Sequence, residues 1–117
     1  MATGQIWLRV PESILFVLDG TLGPWIGGKD LILHTIGRIG VDGAHYAAME
    51  FAGSAIHALP VDGRLTMANM AIEAGAKNGL LPVDDKTRAY LEGRVDRQYS
   101  VYTSDADAAY ARTYRWD

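Results

Sequence analysis

The pattern of apolar and polar positions switches period several times along this chain. Residues 5–9 and 13–18 are rich in β-formers and read as two strands broken at Pro11. Asp19-Gly20 and Gly23-Pro24 mark a loop. Over residues 29–39 the period becomes helical, with Leu31, Ile32, Thr35, Ile36 and Ile39 on one stripe. Asp30 stands in the first turn or at the cap of that helix, and Gly40 closes it. Residues 47–51, bounded by Gly43 and Gly53, predict a short strand, and 56–59 another. Thr66 is placed to cap a helix that runs to a stop at Asn78-Gly79. A short strand follows at 80–83, then a helix capped by Asp84 or Asp85 and running to Glu92. The tail reads as a strand at 99–102, a short helix at 105–110 and a last strand at 112–116. This alternation with short connections predicts one domain over residues 1–117, a sheet with helices packed on it. Val-Asp-Gly occurs at 41 and again at 61; both copies read as independent turns, and there is no internal repeat or linker.

The helix over 65–77 is the most informative element. Met67, Met70, Ala71 and Ala74 follow the spacing of a core face. Asn69 and Glu73 are four residues apart, so on a regular helix they lie one above the other, with the small Ala76 below. A sparse polar pair beside small residues on a largely apolar helix suggests a buried polar site. The plainer reading pairs Glu73 with Lys77, also four residues on, as an exposed salt bridge worth a few tenths of a kcal/mol.

Composition narrows the field. The chain has 117 residues, 49% hydrophobic and 21% charged, enough for one compact domain with a modest core. A net charge of −3 argues against a nucleic-acid or anionic-membrane footprint. No apolar run approaches a membrane span, and no basic segment leads into an apolar one at the N-terminus, so the cytoplasm is the default expectation. There are no cysteines, which excludes disulfides and thiolate ligation of zinc or an iron–sulfur cluster by this chain.

Other constellations carry plain explanations. Gly23 to Asp30 comes close to a phosphate-binding loop, but Asp30 stands where a hydroxyl would hold Mg²⁺ and Pro24 removes a backbone donor. A tight loop feeding a capped helix explains it. His34, His45 and His57 lack metal-ligand spacing. Glu50, within a strand, faces either a buried ion-pair partner or solvent. Arg64 could meet an anion, and a nearby carboxylate such as Asp62 is the favoured partner. Tyr99, Tyr102, Tyr110, Tyr114 and Trp116 lack interleaved basic residues and read as core edge or domain interface.

The motifs, taken in order, carry a resemblance. Trp25-Ile-Gly-Gly-Lys-Asp-Leu-Ile-Leu-His34, Ile39-Gly-Val-Asp-Gly-Ala44, Met49-Glu-Phe-Ala-Gly53, Arg64-Leu-Thr-Met-Ala-Asn-Met-Ala-Ile-Glu-Ala-Gly-Ala76 and Pro82-Val-Asp-Asp-Lys-Thr87 succeed one another. The succession resembles the aconitase superfamily, and within it the large subunits of 3-isopropylmalate dehydratase and homoaconitase. It runs from about Trp7 to Tyr114 and corresponds to the second of the three domains of such a large subunit. The resemblance implies a three-layer α/β/α domain with a largely parallel sheet. It implies a [4Fe–4S] cluster held by three cysteines in other parts of the large subunit, and as partners those remaining domains and a small subunit. It also implies that Asn69 and Glu73 reach the bound water or hydroxide on the iron that no cysteine ligates. There the iron acts as Lewis acid for the departing hydroxide, while carboxylate and amide orient the oxygen and handle its protons. The base and the carboxylate-binding arginines of that family lie outside this chain. Alone, the chain is expected to be colourless, cluster-free and inactive. Its rivals are a stand-alone carboxylate-binding or assembly module and a reconstructed fragment of the fold. Exposed interdomain surface makes self-association a hazard.

Overall fold

The computed structural model describes residues 2–117. Nine elements follow in order: β1 (Ser13–Leu18), α1 (Gly28–Ile39), β2 (Ala48–Ala52), α2 (Ser54–Ala58), α3 (Val61–Met70), a 3-10 turn (Ala71–Ala74), β3 (Asn78–Leu80), α4 (Asp85–Leu91) and β4 (Arg112–Trp116). The four strands form one sheet in the order β3-β2-β1-β4, and every pair is parallel. This is the α/β architecture expected from the alternation of elements, with the parallel sheet that the resemblance implies.

Register explains the core. Ile14 pairs with Met49, and Phe16 with Phe51 and Tyr114, so their side chains share one face. On that face Phe16 stacks on Phe51 at 5.5 Å and on Tyr114 at 5.2 Å, and Trp116 closes the row. Ile32 of α1, Ile56 of α2, Met67 of α3 and Ala71 and Ala74 of the 3-10 turn complete the cluster. The opposite face carries Val17, Ala48 and Glu50, and the irregular segment 92–111 meets it at Glu50. From that segment the Ser104 and Tyr110 hydroxyls donate to the Glu50 carboxylate, at 2.8 Å and 3.1 Å for the nearest oxygens. The carboxylate therefore has hydroxyl partners rather than a cation. Of the aromatic tail, Tyr114 and Trp116 are core edge and Tyr110 meets Glu50, whereas Tyr99 and Tyr102 are exposed.

Two glycines let α1 and α3 approach. A Cβ on Gly28 would lie 2.1 Å from the Gly63 carbonyl oxygen, so only hydrogen fits at that crossing. Gly63 lies inside α3, whose first turn begins at Val61 after Pro60. The second Val-Asp-Gly is thus a helix start rather than a turn, whereas 41–43 is a turn as expected. Thr66 does not cap the helix. Its hydroxyl donates to the Asp62 carbonyl at 2.9 Å, the back-bond that a mid-helix threonine makes.

Several other expectations are corrected. Residues 5–9 form no strand, because no described strand lies beside them. Residues 56–59 fall in and after α2, which Gly53 opens in a left-handed conformation against the Leu18 backbone. The α3 region stops at Gly75, not at Asn78-Gly79; Gly75 has φ +77, and Asn78-Gly79 belongs to β3. A Cβ on Gly79 would lie 2.9 Å from the Ala68 Cα, so this strand runs flush against α3. The 80–83 strand is therefore displaced to Asn78–Leu80. Residues 99–102 and 105–110 are irregular apart from a single turn, which the Ala108 N–H closes on the Asp105 carbonyl. The helix capped by Asp84 stands as expected, with the Asp84 carboxylate accepting from the Thr87 N–H at 3.1 Å.

Candidate functional site

The helix that carries Asn69 and Glu73 is not uniform. It is α-helical through Met70 and tightens to a 3-10 turn over Ala71–Ala74. Four α-helical steps leave two side chains about 40° apart, but two 3-10 steps in place of α steps widen that to about 80°. Asn69 and Glu73 share one side of the element without being stacked. The core face is as expected: Met67, Ala71 and Ala74 are buried and Met70 partly so.

On the other side Asn69 and Glu73 are exposed rather than set in a buried polar site, since nothing among the described residues covers them. They share their surface with two large apolar side chains, Leu65 at 53% and Ile72 at 63% exposure. Lys77 does not answer Glu73; its ammonium sits 4.5 Å from the centre of the Tyr46 ring. The exposed side of this element thus mixes two apolar side chains, one amide and one carboxylate.

What fixes the turn is backbone. Gly75 adopts the left-handed conformation, and its N–H and that of Ala76 close back on Ile72 and Ala71. The loop after α1 then takes the free carbonyls. The Ala44 N–H donates to the Ala74 oxygen at 3.0 Å and the Tyr46 N–H to the Gly75 oxygen at 2.9 Å. His45 lies against Gly75, where a Cβ would come within 3.1 Å of the His45 Cα. Glu73 is held from both sides of its turn while its side chain stays free.

A second polar constellation lies on the opposite edge of α3. Arg64 is 2% exposed and makes a two-pronged pair with Asp84, at 2.9 Å and 2.7 Å. It also donates to the carbonyls of Pro82 and His57, while its Nε finds no partner among the described residues. The His57 Nδ1 is 3.3 Å from Asp84, and the Lys86 ammonium donates to the carbonyls of His57 and Ala58 that end α2. Hydrogen bonds from Arg64 hold the Asp84 carboxyl well below the usual carboxylate range, against a smaller opposing effect of burial. The arrangement clasps α2, α3 and α4 together and offers no free group for chemistry. A carboxylate does answer Arg64, as the sequence favours, but it is Asp84, twenty residues on, and not Asp62.

The remaining motifs take their plain meanings. The Asp30 carboxylate accepts the Gly27 N–H at 2.9 Å, so the glycine loop before α1 is closed by its own helix and presents no phosphate cradle. His34 packs edge-on against Trp116. Among the described residues no three His, Cys, Asp or Glu side chains gather to hold a metal ion, and no helix is long and apolar enough to cross a membrane. A groove of about 790 Å³ lies between the ends of β2 and β3 and the irregular segment 92–111, lined by Phe51, Leu81, Leu91, Val101 and Glu50. It includes neither Asn69 nor Glu73.

These features define a parallel α/β domain whose sparse polar pair faces outward from a helix end. The chain belongs to the aconitase family (aconitate hydratase), whose model matches residues 1–117. It is 62% identical over its full length to the 3-isopropylmalate dehydratase large subunit of Desulfitobacterium hafniense, of which it spans 28%. It is 66% identical to the protein of that name from Moorella thermoacetica over 94% of the chain, and 57% identical to that of Aquifex aeolicus over the whole chain. The shares of those two proteins covered are 26% and 27%. The chain therefore corresponds to somewhat more than a quarter of the relatives it matches.

Proposed function

We propose that this chain is one domain, the second, of the large subunit of a hydro-lyase of the 3-isopropylmalate dehydratase type, in leucine biosynthesis. The observation that carries the reading is identity of 57–66% along essentially the whole chain to large subunits several times its length. Its own donor set does not fit an iron–sulfur cluster: it has no cysteine, and among the described residues no carboxylate–imidazole group substitutes for one. The cluster ligands, the base and the anion pocket belong to the remaining domains of the large subunit and to its small-subunit partner.

The role left to this chain follows from its exposed residues. Removing the elements of water from a β-hydroxy acid requires that the departing oxygen be oriented and its proton managed. A carboxylate accepts hydrogen bonds and an amide both donates and accepts. Asn69 and Glu73 offer these functions side by side on a backbone tied down at Ala74 and Gly75. Leu65 and Ile72 flank them and would exclude water once a facing domain closes over the surface.

A chimera tests the assignment. The 117 residues replace the aligned segment of the Desulfitobacterium large subunit, and turnover of 3-isopropylmalate is measured with the small subunit present. Retention of turnover within about tenfold is expected, since differences at exposed positions are usually worth little. A chimera that folds, carries its cluster and turns over nothing would sink the reading.

A further inference from the structure

The segment before β1 is unexplained by the fold. Ile6, Trp7, Leu8 and Val10 are between 69% and 88% exposed, four large apolar side chains within five residues. Scattered exposed apolar residues are ordinary, but a contiguous run marks a surface that something covers. The run from residue 5 to 12 contains no helix, turn or bend. Ile6, Leu8 and Val10 alternate with Gln5, Trp7 and Arg9, which is strand periodicity with one wholly apolar side.

One contact sets its geometry. The Tyr46 hydroxyl accepts from the Arg9 N–H at 3.3 Å and lies 3.4 Å from the Arg9 carbonyl, to which it donates. The Arg9 guanidinium covers the same ring at 5.3 Å. In an extended chain the N–H and C=O of one residue point to the same side, and those of its neighbours to the other. Tyr46 thus occupies the Arg9 edge of the segment. The Leu8 and Val10 backbone groups face the opposite edge, where neither makes a hydrogen bond among the described residues.

We propose that residues 5–10 are a β-strand that docks through its Ile6–Leu8–Val10 edge on an open strand edge in the part of the longer protein outside this chain. The alignment with the relatives includes this segment and leaves most of their length beyond it, so the occupant is another region of the same polypeptide. Tyr46 also donates its N–H to Gly75, two residues after Glu73. Docking of the strand therefore fixes the turn bearing Glu73 relative to the rest of the protein through one aromatic side chain. The proposal rests on the domain assignment above but not on any catalytic role of that turn.

Amide hydrogen exchange tests it, on the 117-residue chain and on the full-length Desulfitobacterium large subunit at the aligned positions. In the short chain the amides at 6, 8 and 10 exchange at close to the unprotected rate. In the longer protein these three slow by at least about 100-fold, with an alternating pattern along the segment. Unprotected amides in the longer protein overturn the proposal. So does protection in the short chain that rises with concentration, because a second copy would then be the occupant. Exchange is read without turnover, so this result stands apart from the outcome of the chimera.

Discussion

Replacing Asp84 with Asn removes one charge from the clasp and little else. Asn is as good an N-cap as Asp, so the start of α4 survives. Arg64, 2% exposed, is left with a buried charge and only neutral acceptors: the amide oxygen of the substituted side chain, the carbonyls of Pro82 and His57 and the Thr87 hydroxyl. Severing one side of a buried pair costs about 3–5 kcal/mol. The Asp84 side chain keeps 25% of its exposure and two carbonyls remain on Arg64, so the lower end applies, about 3 kcal/mol. Against a total stability of about 5–15 kcal/mol this is a large fraction, and the melting point should fall by about 10 °C. Asp84→Ala loses the cap too and should cost about 1 kcal/mol more. Urea denaturation followed by circular dichroism at unchanged m-value measures both. The pH dependence has a definite sign. Because Arg64 depresses the folded-state pKa of Asp84, its stabilisation is complete above the ordinary carboxylate value and is lost as pH falls through the depressed one. The gap between the native chain and Asp84→Asn should therefore be widest at neutral pH and shrink as pH drops from about 5 toward 2. An Asn variant melting within about 2 °C of the native chain, or a gap that persists in acid, would refute the argument.

Two further outcomes follow from the same packing and from the missing ligands. Gly28→Ala, with a Cβ 2.1 Å from a backbone oxygen, should lose about 2 kcal/mol, whereas Gly37→Ala on the open side of α1, where a Cβ meets nothing within 4 Å, should gain up to about 1 kcal/mol; opposite signs in thermal melts check the α1–α3 crossing. The isolated chain treated with ferrous iron and sulfide under reducing, anaerobic conditions should develop no cluster absorbance near 400 nm and hydrate no unsaturated acid, and turnover by the short chain would contradict the division of labour proposed here.

Much of the fold was legible because its signals are local. The stripe of Leu31, Ile32, Thr35, Ile36 and Ile39, the strand at 13–18 and the Asp84 cap follow from period and end chemistry, and each forms where the residues place it. The failures share a cause in tertiary contact. Gly63 looks like a helix breaker but sits inside α3, because Gly28 of another helix needs its backbone. Thr66 looks like a cap but bonds backward to Asp62. Gly75 ends the α3 region early because the 44–46 loop supplies the donors that satisfy its carbonyls. Residues 5–9 have a strand's composition without a strand's partner. For the candidate site, the Asn69–Glu73 spacing was readable from the chain, and so was an exposed Glu73 as the plainer of two readings, but the fold sends Lys77 to Tyr46 instead of to Glu73. Burial depends on what faces that side of the helix, and nothing among the described residues does.

The central claim is that Glu73 acts in chemistry that this domain shares with others. Its direct test is Glu73→Gln, made at the aligned position of the full-length large subunit and, in parallel, in the 117-residue chain. Glu73 is exposed and no hydrogen bond holds its side chain among the described residues, so the short variant should unfold within about 0.5 kcal/mol of the native chain. In the assembled enzyme kcat should fall by at least about 100-fold, the usual loss on removing a positioned acid–base group. Unchanged turnover in the assembled enzyme would contradict the account.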